Sequence, residues 1–229
     1  MRFRVDVAAG HARMEWPDVH GPARAVVHDL IRSQDAELAA ELHSHGWGGT
    51  PPRPLGVSPP VFTGTRRTKG AYMTSDTGSL WLGSPIPQIA LCMLAGLAGR
   101  HELHWGRVPL RVKGVQLEHG PDHSSGRAEF ASVSPVLVKH HDLYLLPDDP
   151  QYGKRLAHNL RHKAEILDLP RDVEVEIVEA GPRRRFEVQG ALRIGATVRL
   201  RVVAAPALLD ACHQGGIGLA TNQGFGWLR

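Results

Sequence analysis

Predicted strands and helices follow the same order, βαββαβ, in both halves of the chain. In the first half, residues 2–8 alternate polar and apolar side chains, which is typical of a half-buried strand. A helix opens after Gly21-Pro22. A second short helix, AELAAELHSH, can be capped by Ser33 or Asp35, and the bend between the two helices would fold them together. The remaining strand-like runs lie at 61–65, 70–74, 79–84 and 108–118, and a helix is predicted at 85–99.

The second half repeats this order after a polar break at 119–127, HGPDHSSGR. A strand at 130–140, interrupted at Ser134-Pro135, is followed by a helix at 150–168 and by strands at 173–180 and 183–204. A short helix at 206–213 and a last strand pair at 217–229 complete this half. The pattern predicts an α+β fold of two tandem ferredoxin-like (RRM-like) modules. We expect an amino-terminal module over 1–120 and a carboxy-terminal module over 126–229.

Composition agrees with a folded protein of two small modules. The 229 residues are 42% hydrophobic and 22% charged, which is enough apolar surface for packed cores. Only Cys92 and Cys212 are present, so a disulfide framework is excluded and two reduced thiols are expected. No stretch reaches the ~20 apolar residues of a membrane helix. The amino terminus also lacks the apolar run of a signal peptide, so we expect a cytoplasmic protein without membrane contact.

The chain is mildly basic, and its arginines are clustered. The formal net charge is +4, and the clustered arginines are Arg183, Arg184, Arg185, Arg193, Arg199 and Arg201, with a second basic cluster at Arg66, Arg67 and Lys69. Arginine forks suit phosphate groups, so these side chains are candidates for binding the backbone of a nucleic acid. A solvated basic face is the alternative interpretation.

A glycine-rich segment, GIGLATNQGFG, lies at 216–226. Gly216, Gly218, Gly224 and Gly226 flank a polar centre, and such a loop could let a phosphate backbone approach its N–H groups. A turn with glycines at its bends is the alternative. The pattern is neither a nucleotide phosphate loop nor a dinucleotide fingerprint, since no Gly-Lys-Ser/Thr and no helix follow it.

This terminal motif, on two tandem ferredoxin-like modules, resembles that of the CRISPR-associated repeat-processing endoribonucleases of the repeat-associated RNA-binding (RAMP) superfamily. Three further segments are similar to that family in the same order: the helix end LAAELHSHG, the strand that begins Ser134-Pro135, and Arg184-Arg185-Phe186 before Gly190.

The resemblance implies a metal-independent cut of CRISPR precursor RNA within its repeats. The 2′-hydroxyl attacks the adjacent phosphate and leaves a 2′,3′-cyclic phosphate and a 5′-hydroxyl. Such a step needs a base, an acid and a cation near the phosphate oxygens. The family pattern points to His43 as general acid, His28 as general base and Arg53 as the cation, with the two histidine roles interchangeable and His45 an alternative to His43.

Repeat RNA is the expected partner, with an effector complex and a homodimer left open, and no cofactor or metal is expected. His158 and His162 are four residues apart on a predicted helix, but no third metal ligand accompanies them. Two other functions remain open: a non-catalytic RNA-binding subunit of an effector complex, and an unrelated metabolic enzyme on the same fold.

Overall fold

The structure is a computed structural model that describes residues 1–11, 13–65 and 69–229. Arg66 and Arg67 of the second basic cluster lie outside the described residues. In the amino-terminal half the strands are β1 (Arg2–Ala9), β2 (Arg13–Met14), β3 (Gly56–Val57), β4 (Val61–Phe62), β5 (Tyr72–Met73), β6 (Gly78–Gly83), β7 (Glu102–Trp105) and β8 (Val108–Glu118). The helices are α1 (Trp16–His20), α2 (Ala23–Arg32), α3 (Ala36–Ser44) and α4 (Pro87–Leu97).

The carboxy-terminal half contains β9 (Arg127–Ala131), β10 (Val138–His140), β11 (Leu143–Leu145), β12 (Val173–Ala180), β13 (Arg184–Val188), β14 (Ala191–Gly195) and β15 (Val198–Ala204). Its helices are α5 (Tyr152–Ile166), α6 (Pro206–Gly215) and a 3₁₀ helix at Thr221–Gln223.

Both halves place their strands in the ferredoxin-like order. The first sheet has the strand order β3–β6–β1–β8–β7, and all neighbouring strands are antiparallel. Strand β1 therefore lies between β6 and β8. The second runs β12–β15–β9, and the chain end continues it, because Ser132 bridges Leu228 and the Arg229 amide donates to the Ala131 carbonyl at 3.0 Å. The predicted fold class, two tandem ferredoxin-like modules, is confirmed.

Each half buries its own apolar faces. Phe3, Val5 and Val7 of β1 are fully buried beneath α2 and α4, in a core whose members lie between residues 3 and 110. A second core draws on residues between 130 and 228. In β15, Val198, Leu200 and Val202 point inward and alternate with exposed Arg199 and Arg201. Full burial of one such side chain contributes about 1.5–3 kcal/mol, so the alternation fixes which face of the strand is solvated.

The structure differs from the predicted elements at the end of the chain. A strand pair was expected around the glycine-rich segment, but Thr221–Gln223 is a 3₁₀ turn and the strand partner is reduced to a single bridge at Leu228. The predicted strand or hairpin at 183–204 is the hairpin β13–β14 followed by β15, because Gln189 and Gly190 take positive φ (53° and 73°) and turn the chain.

Arg2 joins the two modules through a buried cluster of hydrogen bonds. Its side chain is only 5% exposed, and its Nε donates to Glu118 at 2.7 Å. One Nη donates to the carbonyls of His213 and Leu228 at 3.1 and 2.8 Å, and the guanidinium lies 4.7 Å from the centre of the Trp227 ring. A buried guanidinium that loses such partners is costly, so this contact resists separation of the modules.

Candidate functional site

A tight turn between α2 and α3 brings His28 and His43 together. The Asp35 carboxylate accepts the Leu38 amide at 2.8 Å and caps α3, while the Ser33 hydroxyl donates to the Leu30 carbonyl at the end of α2. The chain therefore reverses, and the two imidazole rings pack edge to face with 5.5 Å between their centres. The bend that the sequence predicts at Ser33–Asp35 is present, and the two histidines to which the family resemblance points lie in contact.

His28 is held in its neutral form. Its side chain is half-buried, and its Nε2 has no hydrogen-bond partner among the described residues. Burial, with smaller contributions from the charges of His43, Arg24 and Arg53, lowers the pKa of His28 to about 4. At neutral pH this imidazole can accept a proton, which a general base must do.

His43 is exposed on the last turn of α3, against the His28 ring. His45, the other candidate in this segment, is also exposed and lies at the carboxyl end of the helix, where its amide donates to the Glu41 carbonyl at 2.8 Å. The structure thus brings His43 into contact with His28.

Arg53 holds the carboxyl end of α3. Its Nε and one Nη donate to the carbonyls of Leu42 and His43, both at 2.5 Å, and the other Nη donates to the Pro51 carbonyl at 3.2 Å. A cation here satisfies carbonyls that the helix leaves unpaired. Two further guanidinium N–H groups remain, so Arg53 both fixes the backbone of His43 and keeps a positive charge beside it.

Arg24 is a charged residue of this site that the sequence analysis missed. It lies one helical turn before His28 on α2, is half-buried, and its charge acts on both His28 and Arg53. The four-residue spacing to His28 is the signal that could have identified it, because side chains four apart share a helix face.

A cleft of about 380 Å³ lies between the modules, and Arg24 and Arg53, the charged neighbours of the histidine pair, line it, whereas His28 and His43 themselves do not. We call it the inter-module cleft. The amino-terminal side contributes Arg24 and Arg53, and the carboxy-terminal side contributes Lys163 and Arg193. Arg24, Arg53 and Arg193 bring positive charge to one space, and this arrangement suits an anionic ligand.

The four glycines of the 216–226 segment serve the packing of the protein itself. Gly216, Gly218, Gly224 and Gly226 all take positive φ, between 64° and 86°. A Cβ on Gly226 would lie 1.8 Å from the Ile217 carbonyl oxygen, and one on Gly218 would lie 2.8 Å from that of Leu137. The part of the segment that lines the inter-module cleft is 218–223, so the residues between the glycines are the ones a ligand can reach.

The segment is also anchored to the amino-terminal module. The Thr221 hydroxyl donates to the Leu55 carbonyl at 2.7 Å. Lys163 donates to the Gly216 carbonyl from within its own module. His20 stacks on Phe225 with ring centres 4.2 Å apart and a 4° angle between planes. These contacts fix the loop as one wall of the cleft.

The predicted arginines fall into two groups. Arg183, Arg184 and Arg185 are exposed, and Arg193 lines the inter-module cleft. Arg199 and Arg201 lie on the solvated face of the second sheet, in ion pairs of 2.8–3.8 Å with Glu129, Glu176 and Glu179. Carboxylates therefore offset the charge of the second group.

Burial of neutral histidines makes the protein sensitive to acid. Burial lowers the pKa of His20 and His213 to about 4, and His20 is only 2% exposed. Because the unfolded chain takes up these protons near pH 6.5, the stability that each provides is complete above that pH and is lost as the pH falls towards 4. We expect His20 alone to account for up to about 3 kcal/mol over this window. Urea unfolding at pH 7, 5.5 and 4.5 measures the effect, and a constant free energy of unfolding would contradict it.

Two further properties concern the described residues only. Within 1–11, 13–65 and 69–229, no three His, Cys, Asp or Glu side chains are grouped so that they could hold a metal ion, His158 and His162 included. No helix in these ranges is long and apolar enough to cross a membrane.

Comparisons with known proteins agree with this description. Residues 118–229 match the family model described as CRISPR associated protein Cas6, C-terminal. A search of curated proteins finds no significant match.

Among solved structures, a protein described as Cas6-related from Pyrococcus furiosus superimposes with a TM-score of 0.82 at 20% identity, covering 100% of this chain and 97% of that one. A RAMP protein described as binding different RNA substrates gives 0.80 at 18% identity, with 100% and 98% covered. A Thermus thermophilus Cas6 product complex gives 0.68 at 18% identity, with 99% and 98% covered.

The resemblance drawn from the sequence motifs is thereby confirmed. These likenesses extend over the whole chain and concern its fold, whereas the family match rests on the sequence of the second module. Residues 118–229 thus carry the sequence signature of the Cas6 carboxy-terminal domain, and the whole chain shares the fold of Cas6-related and RAMP structures.

Proposed function

We propose that this protein is a metal-independent endoribonuclease that cuts CRISPR precursor RNA within its repeats. The observation that carries the proposal is the contact between His28 and His43, next to Arg24 and Arg53, two arginines that line the inter-module cleft. The match of residues 118–229 to the Cas6 carboxy-terminal family model supports CRISPR RNA as the substrate.

In the proposed reaction, neutral His28 removes the proton of the 2′-hydroxyl upstream of the cut. The freed oxygen forms a bond to the adjacent phosphorus while the bond from phosphorus to the 5′ oxygen breaks. His43 in its protonated form gives a proton to that leaving oxygen. Arg24 and Arg53 supply positive charge for the non-bridging oxygens. The pKa of about 4 for His28 favours it as the base in this assignment.

We assign proton transfer to the amino-terminal unit, 1–120, and much of the RNA contact to the carboxy-terminal unit, 126–229. The effector complex and the homodimer stay predictions.

Cleavage of a repeat RNA in EDTA tests the proposal. We expect cutting without metal, a 3′ product end that carries a 2′,3′-cyclic phosphate, a 5′-hydroxyl on the other product, and no cutting when the ribose upstream of the cut is 2′-deoxy. Cutting that requires Mg²⁺, or that tolerates the deoxy sugar, contradicts the mechanism. Tight RNA binding without any cutting favours the non-catalytic RNA-binding subunit.

The two arginine groups predict different effects on RNA affinity. The double substitution R184Q/R185Q removes two exposed charges, and we expect about a tenfold higher Kd. We also expect the slope of log Kd against log salt concentration to fall by roughly 1.4, since each phosphate contact on a single strand contributes about 0.7 to that slope. The matched control R199Q/R201Q removes two charges that carboxylates already offset. We expect that control to change Kd less than about twofold. Fluorescence anisotropy over a salt series measures both, and equal losses would contradict the distinction.

A further inference from the structure

A second groove, of about 460 Å³, lies on the carboxy-terminal module between the end of β10 and helix α5. It takes no part in the proposed proton transfer. We call it the His-rich groove and define it by Lys139, His140, His141, Arg155, His158 and His162. A volume in this range is suited to a ligand the size of one nucleotide.

One wall of the groove is a stripe along α5. Arg155, His158 and His162 are spaced three and four residues apart, so they share one face of the helix, which extends about 10 Å from the first to the last. The other wall is the β10 end, where Arg155 also donates to the His140 ring. The stripe is therefore aimed into the groove.

The groove combines positive charge with flat rings. Lys139 lies 4.6 Å from the centre of the Tyr144 ring, which holds its charge in place. His140 and His141 stack with ring centres 4.2 Å apart, and His141 is exposed. The nearby carboxylates are Glu165, which lies 3.5 Å from His162, Asp149, whose charge raises the pKa of His140, and Asp142, which follows His141 in the chain. Cationic side chains can bind a phosphate, and the exposed imidazole beside them can stack on a nucleobase. This combination suits single-stranded RNA.

The groove is continuous with the inter-module cleft. Asn159, His162 and Leu219 line both spaces. Leu219 belongs to the exposed part of the glycine-rich segment, and the cleft in turn reaches Arg53, which holds the end of the helix that carries His43. A strand that occupies the cleft can therefore pass over Leu219 into the His-rich groove.

We propose that the His-rich groove binds an unpaired nucleotide of the same RNA strand, next to the segment held in the inter-module cleft. Arg155 and His158 contact its phosphate, and its base stacks on the exposed face of His141. The inference rests on the proposed function for the identity of the strand. It adds a binding subsite that lies outside the histidine pair.

The test compares two double variants of equal charge change in the full-length protein. R155Q/H158A alters the groove, whereas K154Q/H104A removes one cation and one histidine from positions outside it. A fluorescein-labelled single-stranded repeat RNA is titrated by anisotropy with H43A added to every variant, so that binding is measured without cutting. We expect about a tenfold higher Kd for the groove variant and less than twofold for the control. Thermal unfolding midpoints verify that both fold.

A crosslinking measurement gives an independent readout. RNA that carries 4-thiouridine is irradiated with the H43A protein and the crosslinked peptides are identified by mass spectrometry. We expect crosslinks within 138–141 or at Arg155 or His158, none of which lines the inter-module cleft, and we expect them to disappear in H141N, a substitution that suits the positive φ of 53° at this position.

Equal losses of affinity in the two double variants, or crosslinks confined to the inter-module cleft, overturn the subsite. A protein that binds RNA in this groove but never cuts it refutes the proposed endoribonuclease and leaves the subsite standing.

Discussion

Replacement of His43 by alanine is expected to slow RNA cleavage by roughly 10²–10⁴-fold, the usual contribution of one acid or base. The side chain is exposed and its ring meets that of His28 edge to face, so its loss removes little buried surface. RNA affinity is therefore expected to stay within about twofold of the unaltered protein, because charge on the cleft is retained. Single-turnover cleavage at saturating protein, together with anisotropy, separates the two quantities.

His45 provides the matched control for that substitution. It is an exposed histidine two residues further along, at the end of the same helix. H45A is expected to retain cleavage within about threefold, since small surface changes have small effects. If H45A stops cleavage and H43A does not, the acid is His45 and the role given to the contact with His28 is wrong.

Replacement of Gly226 by alanine is expected to destabilise the protein by roughly 3 kcal/mol or more. Two costs add: the positive φ of 64° is unfavourable for a residue with a Cβ, and that Cβ would lie 1.8 Å from the Ile217 carbonyl oxygen. Because the obstacle is backbone, no side-chain rotation relieves it. The free energy of unfolding in urea measures the loss.

The substitution G190A is a control that isolates the effect of positive φ from the steric clash. Gly190 turns the β13–β14 hairpin with φ of 73°, but a Cβ added at this position would meet nothing within 4 Å. G190A is therefore expected to cost only about 1 kcal/mol. Should G226A fold with unchanged stability and lose RNA binding instead, the glycine would serve the approach of a phosphate, which is the other interpretation of the motif.

The order of the elements and the meeting of the two histidines were predictable because both depend on local patterns. The alternation of polar and apolar residues in β1 and β15 assigns their buried faces. The capping residues Ser33 and Asp35 mark the turn that places His28 near His43. The expectation of two reduced thiols also agrees with the structure, in which Cys92 and Cys212 are both free.

Long-range partners were not predictable in the same way. The carboxylates that pair with Arg199 and Arg201 come from β9 and β12, and only the strand register brings them opposite. The carbonyls that engage Arg53 belong to a helix end eleven and ten residues earlier. A motif shows that an arginine or glycine is present, but the packed fold decides whether it faces a ligand or the protein itself.

The buried Arg2 has a consequence for how a long RNA reaches the cleft. Its bonds to the carbonyls of His213 and Leu228, and its contact with the Trp227 ring, would be broken if the two halves swung apart. A jaw-like opening is therefore disfavoured. Under the proposed function, the RNA enters the cleft sideways from the solvent, so a stretch in the middle of a long transcript needs no free end to reach it.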